Sequence, residues 1–284
     1  MKNYEICFQG EHYAFSEIAA KKFLGDSAIC HPRETFDQVF QSVTDNNPPL
    51  GIIPIENTLS GSIHQNYDLL LENNVRIVGE VNLRIELNLI APADVELYQV
   101  KTVYTHPAAI GQCRNFWKNH PNLEIVPTYD TAGSVKIISE KGLTATAAIA
   151  SQQAAADYNM TILAHEIEDY PENFTRFLII ATDEINFGAA NKTSIVFATK
   201  HMPGALFKSL SVFFLRDLNL LKIESRPLRG TPWQYIFYLD FEGSMDQKTC
   251  QNALRHLEEI AEFIKVLGSY PAANSLKHPV SVNS

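Results

Sequence analysis

Short apolar runs alternate with segments of helical periodicity through the first two thirds of the chain, and this alternation restricts its possible folds more than any other feature. Tyr4 to Phe8 reads as a strand and Ser16 to Leu24 as a helix; further strands are predicted at Leu50 to Pro54, Val75 to Leu89, Thr102 to Thr105, Ala147 to Ala150 and Phe177 to Ala181. Strands separated by helical patterns predict an α/β architecture. Ser60-Gly-Ser-Ile and Ser151-Gln-Gln-Ala-Ala-Ala-Asp-Tyr each place a capping serine before a helical stretch, so both starts present backbone N–H groups that suit an anion.

The pattern changes after a polar, glycine-containing stretch from Asp183 to Asn191, which has linker character. Beyond it, strands are predicted at Thr193 to Thr199, Leu221 to Pro227, Trp233 to Phe241 and Phe263 to Leu267, with helices at Gly204 to Leu218 and Gln247 to Ile260. The order βαββαβ predicts a ferredoxin-like module. Pro271 to Ser284 is polar and turn-rich, and a flexible tail is expected there. A length of 284 residues fits two or three compact units.

A formal charge of −9 disfavours phosphate backbones and acidic lipid as partners. The start Met1-Lys2-Asn3-Tyr4 lacks the apolar core of a secretory signal, and no stretch approaches a membrane span, so a cytoplasmic protein is expected. Cys7, Cys30, Cys113 and Cys250 are far apart, and the nine histidines show no metal-binding spacing. Reduced thiols and no metal are expected.

Four polar segments stand where open α/β sheets bind ligands, after strands: Gln9-Gly-Glu-His-Tyr-Ala-Phe-Ser16, Pro54-Ile-Glu-Asn-Thr-Leu-Ser-Gly-Ser62, Thr105-His-Pro-Ala-Ala-Ile-Gly-Gln-Cys113 and Asn173-Phe-Thr-Arg-Phe177. Taken singly, each is ordinary turn and cap chemistry. In this order and at these separations, they resemble the motifs of the prephenate dehydratase family, over nearly the whole chain. The first motif departs from the family's pattern, with Glu11-His12-Tyr13 where Pro-x-Gly is common; Thr58 stands where serine is common, and Ala108-Ala109 where Gln-Ala is frequent. Asp130-Thr131-Ala132-Gly133-Ser134 matches the family's hydroxyl stretch in part.

The resemblance implies a catalytic domain over residues 1–184, built of two periplasmic-binding-protein-like lobes with the chain crossing between them and the active site in the cleft. It implies a regulatory ACT domain over 191–270, followed by the tail at 271–284. The implied activity is decarboxylating dehydration of prephenate to phenylpyruvate, without a cofactor, feedback-regulated by phenylalanine. Thr175 is the implied catalytic donor to the departing oxygen. Arg176 is the expected carboxylate anchor, through its planar fork. Asn57, Thr58, Ser62 and Thr131 are expected to hold the departing carboxylate, with Asn173, Gln112 and His106 also at the substrate; His106 equally suits a structural turn. Gly204, Ala205, Leu206 and Phe207, together with Glu224, Ser225, Arg226 and Pro227, resemble the phenylalanine-binding motifs, although Gly204 could merely open a helix. A homodimer or homotetramer is implied. The first motif begins at Gln9, so a monofunctional chain is expected. Two readings compete: an arogenate dehydratase sharing these motifs, and a noncatalytic sensor, against which the Asn173-Phe-Thr-Arg motif argues.

Overall fold

The computed structural model describes residues 4–228, 230, 231 and 234–273. The expected flexible tail therefore lies, from residue 274 onward, outside the described residues, as does Trp233. The first strands and helices are β1 (Glu5–Gln9), α1 (Phe15–Leu24), β2 (Ile29–Arg33), α2 (Phe36–Thr44), β3 (Leu50–Asn57), β4 (Gly61–Ser62), α3 (His64–Glu72) and β5 (Arg76–Arg84). There follow β6 (Asn88–Pro92), β7 (Thr102–Thr105), α4 (Pro107–Gln112), α5 (Arg114–Asn119), β8 (Glu124–Pro127), α6 (Thr131–Lys141), β9 (Thr146–Ala150), α7 (Gln152–Asp157), β10 (Met160–Ala164) and β11 (Phe174–Ala181). The remainder is β12 (Lys192–Thr199), α8 (Ala205–Phe214), β13 (Leu220–Pro227), β14 (Tyr235–Glu242), α9 (Lys248–Ile260) and β15 (Ala261–Tyr270).

Three sheets result. One has the order β2-β1-β3-β11-β5 with β4 on β3; β1 pairs in parallel with β2 and β3. A second has the order β10-β6-β9-β7-β8, parallel at β9-β7-β8 and antiparallel at β10-β6-β9. The single strand expected over Val75 to Leu89 is two strands in different sheets, broken at Ile85–Leu87. Periodicity did not reveal the break, because the alternation of apolar and polar residues from Val81 to Leu89 continues across it without interruption. The chain returns to the first sheet after β10, and β11 begins at Phe174, so the motif expected in a loop from Asn173 to Phe177 lies largely on a strand.

The chain divides into two compact units, residues 1–66 with 81–177 and residues 67–80 with 178–284. In the first, α6 and α7 cover the second sheet, burying Val135, Ile138, Ala154 and Ala155 against Ile90, Ala148 and Ala150. In the second, the antiparallel sheet β13-β14-β12-β15 carries α8 and α9 on one face, around Phe197, Phe213, Leu239, Phe241 and Leu257. This is the expected βαββαβ module. Residues 67–80 group with this module: Tyr238 Oη donates to the Tyr67 carbonyl at 2.8 Å, and Lys265 Nζ donates to the carbonyls of Leu70, Leu71 and Asn73 at 2.9, 3.0 and 2.8 Å. The lysine thus satisfies carbonyls that the end of α3 leaves without intrahelical partners.

Candidate active site

A cavity of about 580 Å³ opens in the first unit between its two sheets. Five helices start on its wall. Ala14, Phe15 and Ser16 open α1, Thr35 to Asp37 open α2, Ile63 and Gln65 flank the start of α3, His106 and Ala108 open α4, and Asp130 and Thr131 open α6. Each first turn directs N–H groups that have no intrahelical acceptor, and the positive end of its dipole, toward the same space. Ala14, the cap of α1, makes no side-chain capping bond, so nothing of its own competes for those amides. Among the described residues no lysine or arginine lines the cavity, while Glu34, Asp37 and Asp130 do. The donors on this wall are backbone amides, hydroxyls, side-chain amides and the His106 ring.

Thr175 and Phe177 reach the wall from β11. Arg176, the expected carboxylate anchor, is not among the residues that line it. Successive side chains of a strand leave it toward opposite faces, and Arg176 directly follows Thr175 on β11. Thr58 is likewise off the wall. Its amide donates to the Phe174 carbonyl at 2.9 Å, its hydroxyl donates to the Glu172 carbonyl at 2.7 Å, and the same oxygen accepts from the Phe174 amide at 2.9 Å. It fastens the end of β3 to the start of β11. Ser62 pairs on β4 with Glu56 and does not line the cavity; Ser60, not expected, does.

Asn57, Asn173 and Gln112, expected on the substrate, bind one another behind the wall. Asn57 Nδ2 donates to Asn173 Oδ1 at 2.8 Å and to Thr175 Oγ1 at 3.0 Å, and also lies 3.1 Å from the Phe174 carbonyl. Asn173 Nδ2 donates to Gln112 Oε1 at 2.9 Å, and Gln112 Nε2 donates to Ser60 Oγ at 3.0 Å. Asn57 and Gln112 still contribute surface to the cavity, whereas Asn173 is wholly buried and does not line it.

His106 lines the cavity and caps α4, its Nδ1 accepting from the Ala108 amide at 3.2 Å. Burial lowers its pKa, partly offset by Asp130. The cap is the structural turn expected of it. Asp130 caps α6, accepting from the Gly133 amide at 3.2 Å and from the Glu11 amide at 3.0 Å; burial raises its pKa, and those amide bonds oppose the rise. Glu11, in the segment that departs from the family's pattern, also accepts from Tyr129 Oη at 3.2 Å and pairs with Lys136 Nζ at 3.0 Å. The β1–α1 loop is thereby tied to α6 across the cavity mouth. Sequence reasoning missed Glu11, Tyr129 and Asp130, whose partners lie more than a hundred residues away. Burial pushes Cys113 up to about 12, in keeping with a packing role, and no cluster of potential metal ligands occurs among the described residues. No helix among them is long and apolar enough to cross a membrane.

A smaller cavity in the second unit is lined by Gly204, Ala205, Leu206 and Phe207 with Thr199 to Met202, Gln234, Tyr235 and Phe237. Glu224, Ser225, Arg226 and Pro227 do not line it. On β13, Glu224 and Arg226 occupy alternate positions paired with Tyr238 and Ile236, and Arg226 Nη2 meets Asp68 at 3.1 Å. Ser225 and Pro227 pair on β13 with Phe237 and Tyr235, which do line the cavity.

The family model for prephenate dehydratase matches residues 6–185. Among curated proteins, "Arogenate dehydratase/prephenate dehydratase 2, chloroplastic" of Arabidopsis thaliana is 44% identical, over 95% of this chain and 74% of its own length. A solved prephenate dehydratase from Arthrobacter aurescens, in complex with L-Phe, has a TM-score of 0.87 at 30% identity, covering 96% of this chain and 92% of that one. A structure titled as a novel type of quorum quenching acylases, GqqA, has a TM-score of 0.85 at 31% identity, covering 94% of this chain and 98% of that one.

Proposed function

This chain belongs to the prephenate dehydratase family, and we propose on that premise that it converts prephenate to phenylpyruvate, carbon dioxide and water, as a carbon–oxygen lyase inhibited by phenylalanine. The observation that carries the reading is the Thr175 hydroxyl, 7% exposed, on the wall of a cation-free cavity ringed by helix starts.

Prephenate is a dianion with a ring hydroxyl. In the reaction the bond from the ring to its carboxylate breaks, that electron pair moves into the ring, and the carbon–oxygen bond breaks at the opposite position. The departing oxygen takes a hydrogen bond or proton from Thr175 and leaves as water, and solvent restores the threonine proton. A positioned donor of this kind is worth roughly a hundredfold to ten-thousandfold in rate. First-turn amides of α1, α2 and α6, with Thr131, supply preorganised dipoles for the two carboxylates. A fixed cation at the departing carboxylate would stabilise the ground state more than the transition state, so its absence from the wall favours the step.

Arogenate carries the same reacting ring and fits the same assignment, as the Arabidopsis relative's double name allows for that protein. An acylase reading would need an activated nucleophile. On this wall His106 uses Nδ1 on the Ala108 amide, and Thr175 receives its bond from an amide rather than from a base. For regulation, we place phenylalanine between modules of two chains, with Gly204 to Phe207 on the cavity wall and Glu224 to Pro227 on the neighbouring strand β13. Exposed Phe207, Phe214, Leu215, Leu221, Ile223 and Tyr235 give that module an apolar surface suited to a second copy. The test supplies purified protein with prephenate and with arogenate separately, following phenylpyruvate and phenylalanine with and without added phenylalanine. Formation of either product supports a dehydratase, and the faster substrate identifies which one; no turnover of either ends the reading.

A further inference from the structure

Two main-chain amides fix the direction of every bond in the polar network behind Thr175. The amides of Leu59 and Ser60 lie 3.0 and 2.9 Å from Asn57 Oδ1. A backbone N–H only donates, so this side-chain atom is the carbonyl oxygen and the opposite one is the NH₂ group. Asn57 Nδ2 then donates one hydrogen to Asn173 Oδ1 and shares the other between Thr175 Oγ1 at 3.0 Å and the Phe174 carbonyl at 3.1 Å, which turns Asn173 Nδ2 toward Gln112 Oε1 and leaves Gln112 Nε2 to donate to Ser60 Oγ. No step in this sequence is reversible without placing two donors or two acceptors face to face.

The circuit ends on two hydroxyls, Thr175 and Ser60, and reaches both as a donor. Each oxygen accepts a hydrogen bond from behind the wall, so its own proton points elsewhere. Among the described residues neither proton has a protein acceptor, and both side chains line the cavity. We infer that Asn57, Asn173 and Gln112 are positioning residues that orient the protons of Thr175 and Ser60 toward the substrate, making Ser60 a second hydroxyl donor at the site. This rests on the dehydratase reading and deepens it. A threonine hydroxyl is a weak acid whose usefulness depends on where its proton points, and a neutral amide fixes that direction where a carboxylate would reverse it.

The test is Asn57→Asp, which keeps the shape and the oxygen that accepts from Leu59 and Ser60 but replaces the donor with an acceptor. When ionised, the new carboxylate captures the Thr175 proton. Expected is a fall in kcat of about a hundredfold or more near neutral pH, with KM within about threefold. The neutral acid restores a donor to Thr175, so kcat relative to wild type should climb by about tenfold per pH unit as the pH falls toward the carboxyl pKa. In a Thr175→Ala background the same substitution should cost little further, because the hydroxyl it misdirects is gone. A ratio to wild type that stays flat with pH, or full additivity with Thr175→Ala, would overturn the inference by showing a merely structural role. Should circular dichroism show that Asn57→Asp does not fold, Gln112→Glu makes the same reversal at Ser60, and its pH slope decides in the same way. A wild-type protein inert on both substrates would instead sink the dehydratase reading, and this inference with it, before any variant is compared.

Discussion

Lys192 and Glu80 form an ion pair with Nζ and Oε2 2.9 Å apart and both side chains almost fully buried. Around it, Lys192 Nζ lies 3.8 Å from Asp240, and the Ser194 hydroxyl donates to Asp240 and meets Tyr270 Oη at 2.6 Å. Strands β5, β12, β14 and β15 thus meet on one polar cluster beneath the ferredoxin-like sheet.

Removing one partner leaves the other charge buried and unpaired, which costs about 3–5 kcal/mol. Lys192→Met should therefore lower the urea midpoint strongly, while Lys192→Met with Glu80→Gln should recover part of the loss. Equal midpoints for the single variant and wild type would show that the pair contributes nothing.

Gly268 on β15 lies against the Ile77 backbone, where an added Cβ would collide with the Ile77 carbonyl. Backbone cannot swing aside as a side chain can, so Gly268→Ala should cost about 1–3 kcal/mol or more. Gly142→Ala is the useful contrast: nothing lies within 4 Å of the new atom, and its cost should reflect only the left-handed backbone at φ +58°. Thermal melts of both variants check the difference.

His106 gives a pH prediction with a definite sign. Burial lowers its pKa, so the folded chain favours the neutral ring and the unfolded chain takes up the proton first on acidification. The stability contributed by the neutral ring is complete above about pH 6.5, the unfolded value, and is lost as the pH falls toward the folded value. His106→Asn retains a helix-capping acceptor without titrating. The wild type should therefore lose more stability than the variant between roughly pH 7 and pH 5; parallel denaturation curves would remove His106 from the acid response.

Feedback should be separable from turnover. Gly204 opens α8 at φ 75° on the wall of the second unit's cavity, far in sequence from Thr175. Gly204→Ala or Glu224→Ala should raise the phenylalanine concentration needed for half inhibition while leaving kcat in its absence within about twofold. Unchanged inhibition in both variants would move the effector elsewhere.

Much of the architecture was legible because hydrophobic period is a local property: β7 matches its expected bounds, and the βαββαβ order follows from spacing alone. What failed was long-range or directional. The break at Ile85–Leu87 left no mark in an apolar/polar alternation that runs on through it. Asn173-Phe-Thr-Arg-Phe was grouped correctly as a motif, but reading it as a loop hid the alternation that separates Thr175 from Arg176. Asn57 and Gln112 were recognised as polar residues of the site, yet only coordinates show that their amides are occupied by each other. Glu11 could not be paired with Tyr129 and Lys136 from sequence, since nothing local distinguishes a latch from a solvated carboxylate.

The cation-free wall also bears on how the catalytic cycle ends. In the proposed reaction prephenate would enter with two negative charges and phenylpyruvate depart with one, so a cavity gripping charge through several weak dipoles would lose much of its hold once carbon dioxide forms. A guanidinium clamp would retain the surviving carboxylate almost undiminished; spreading the attraction over helix starts lets phenylpyruvate escape without any side chain having to change its protonation.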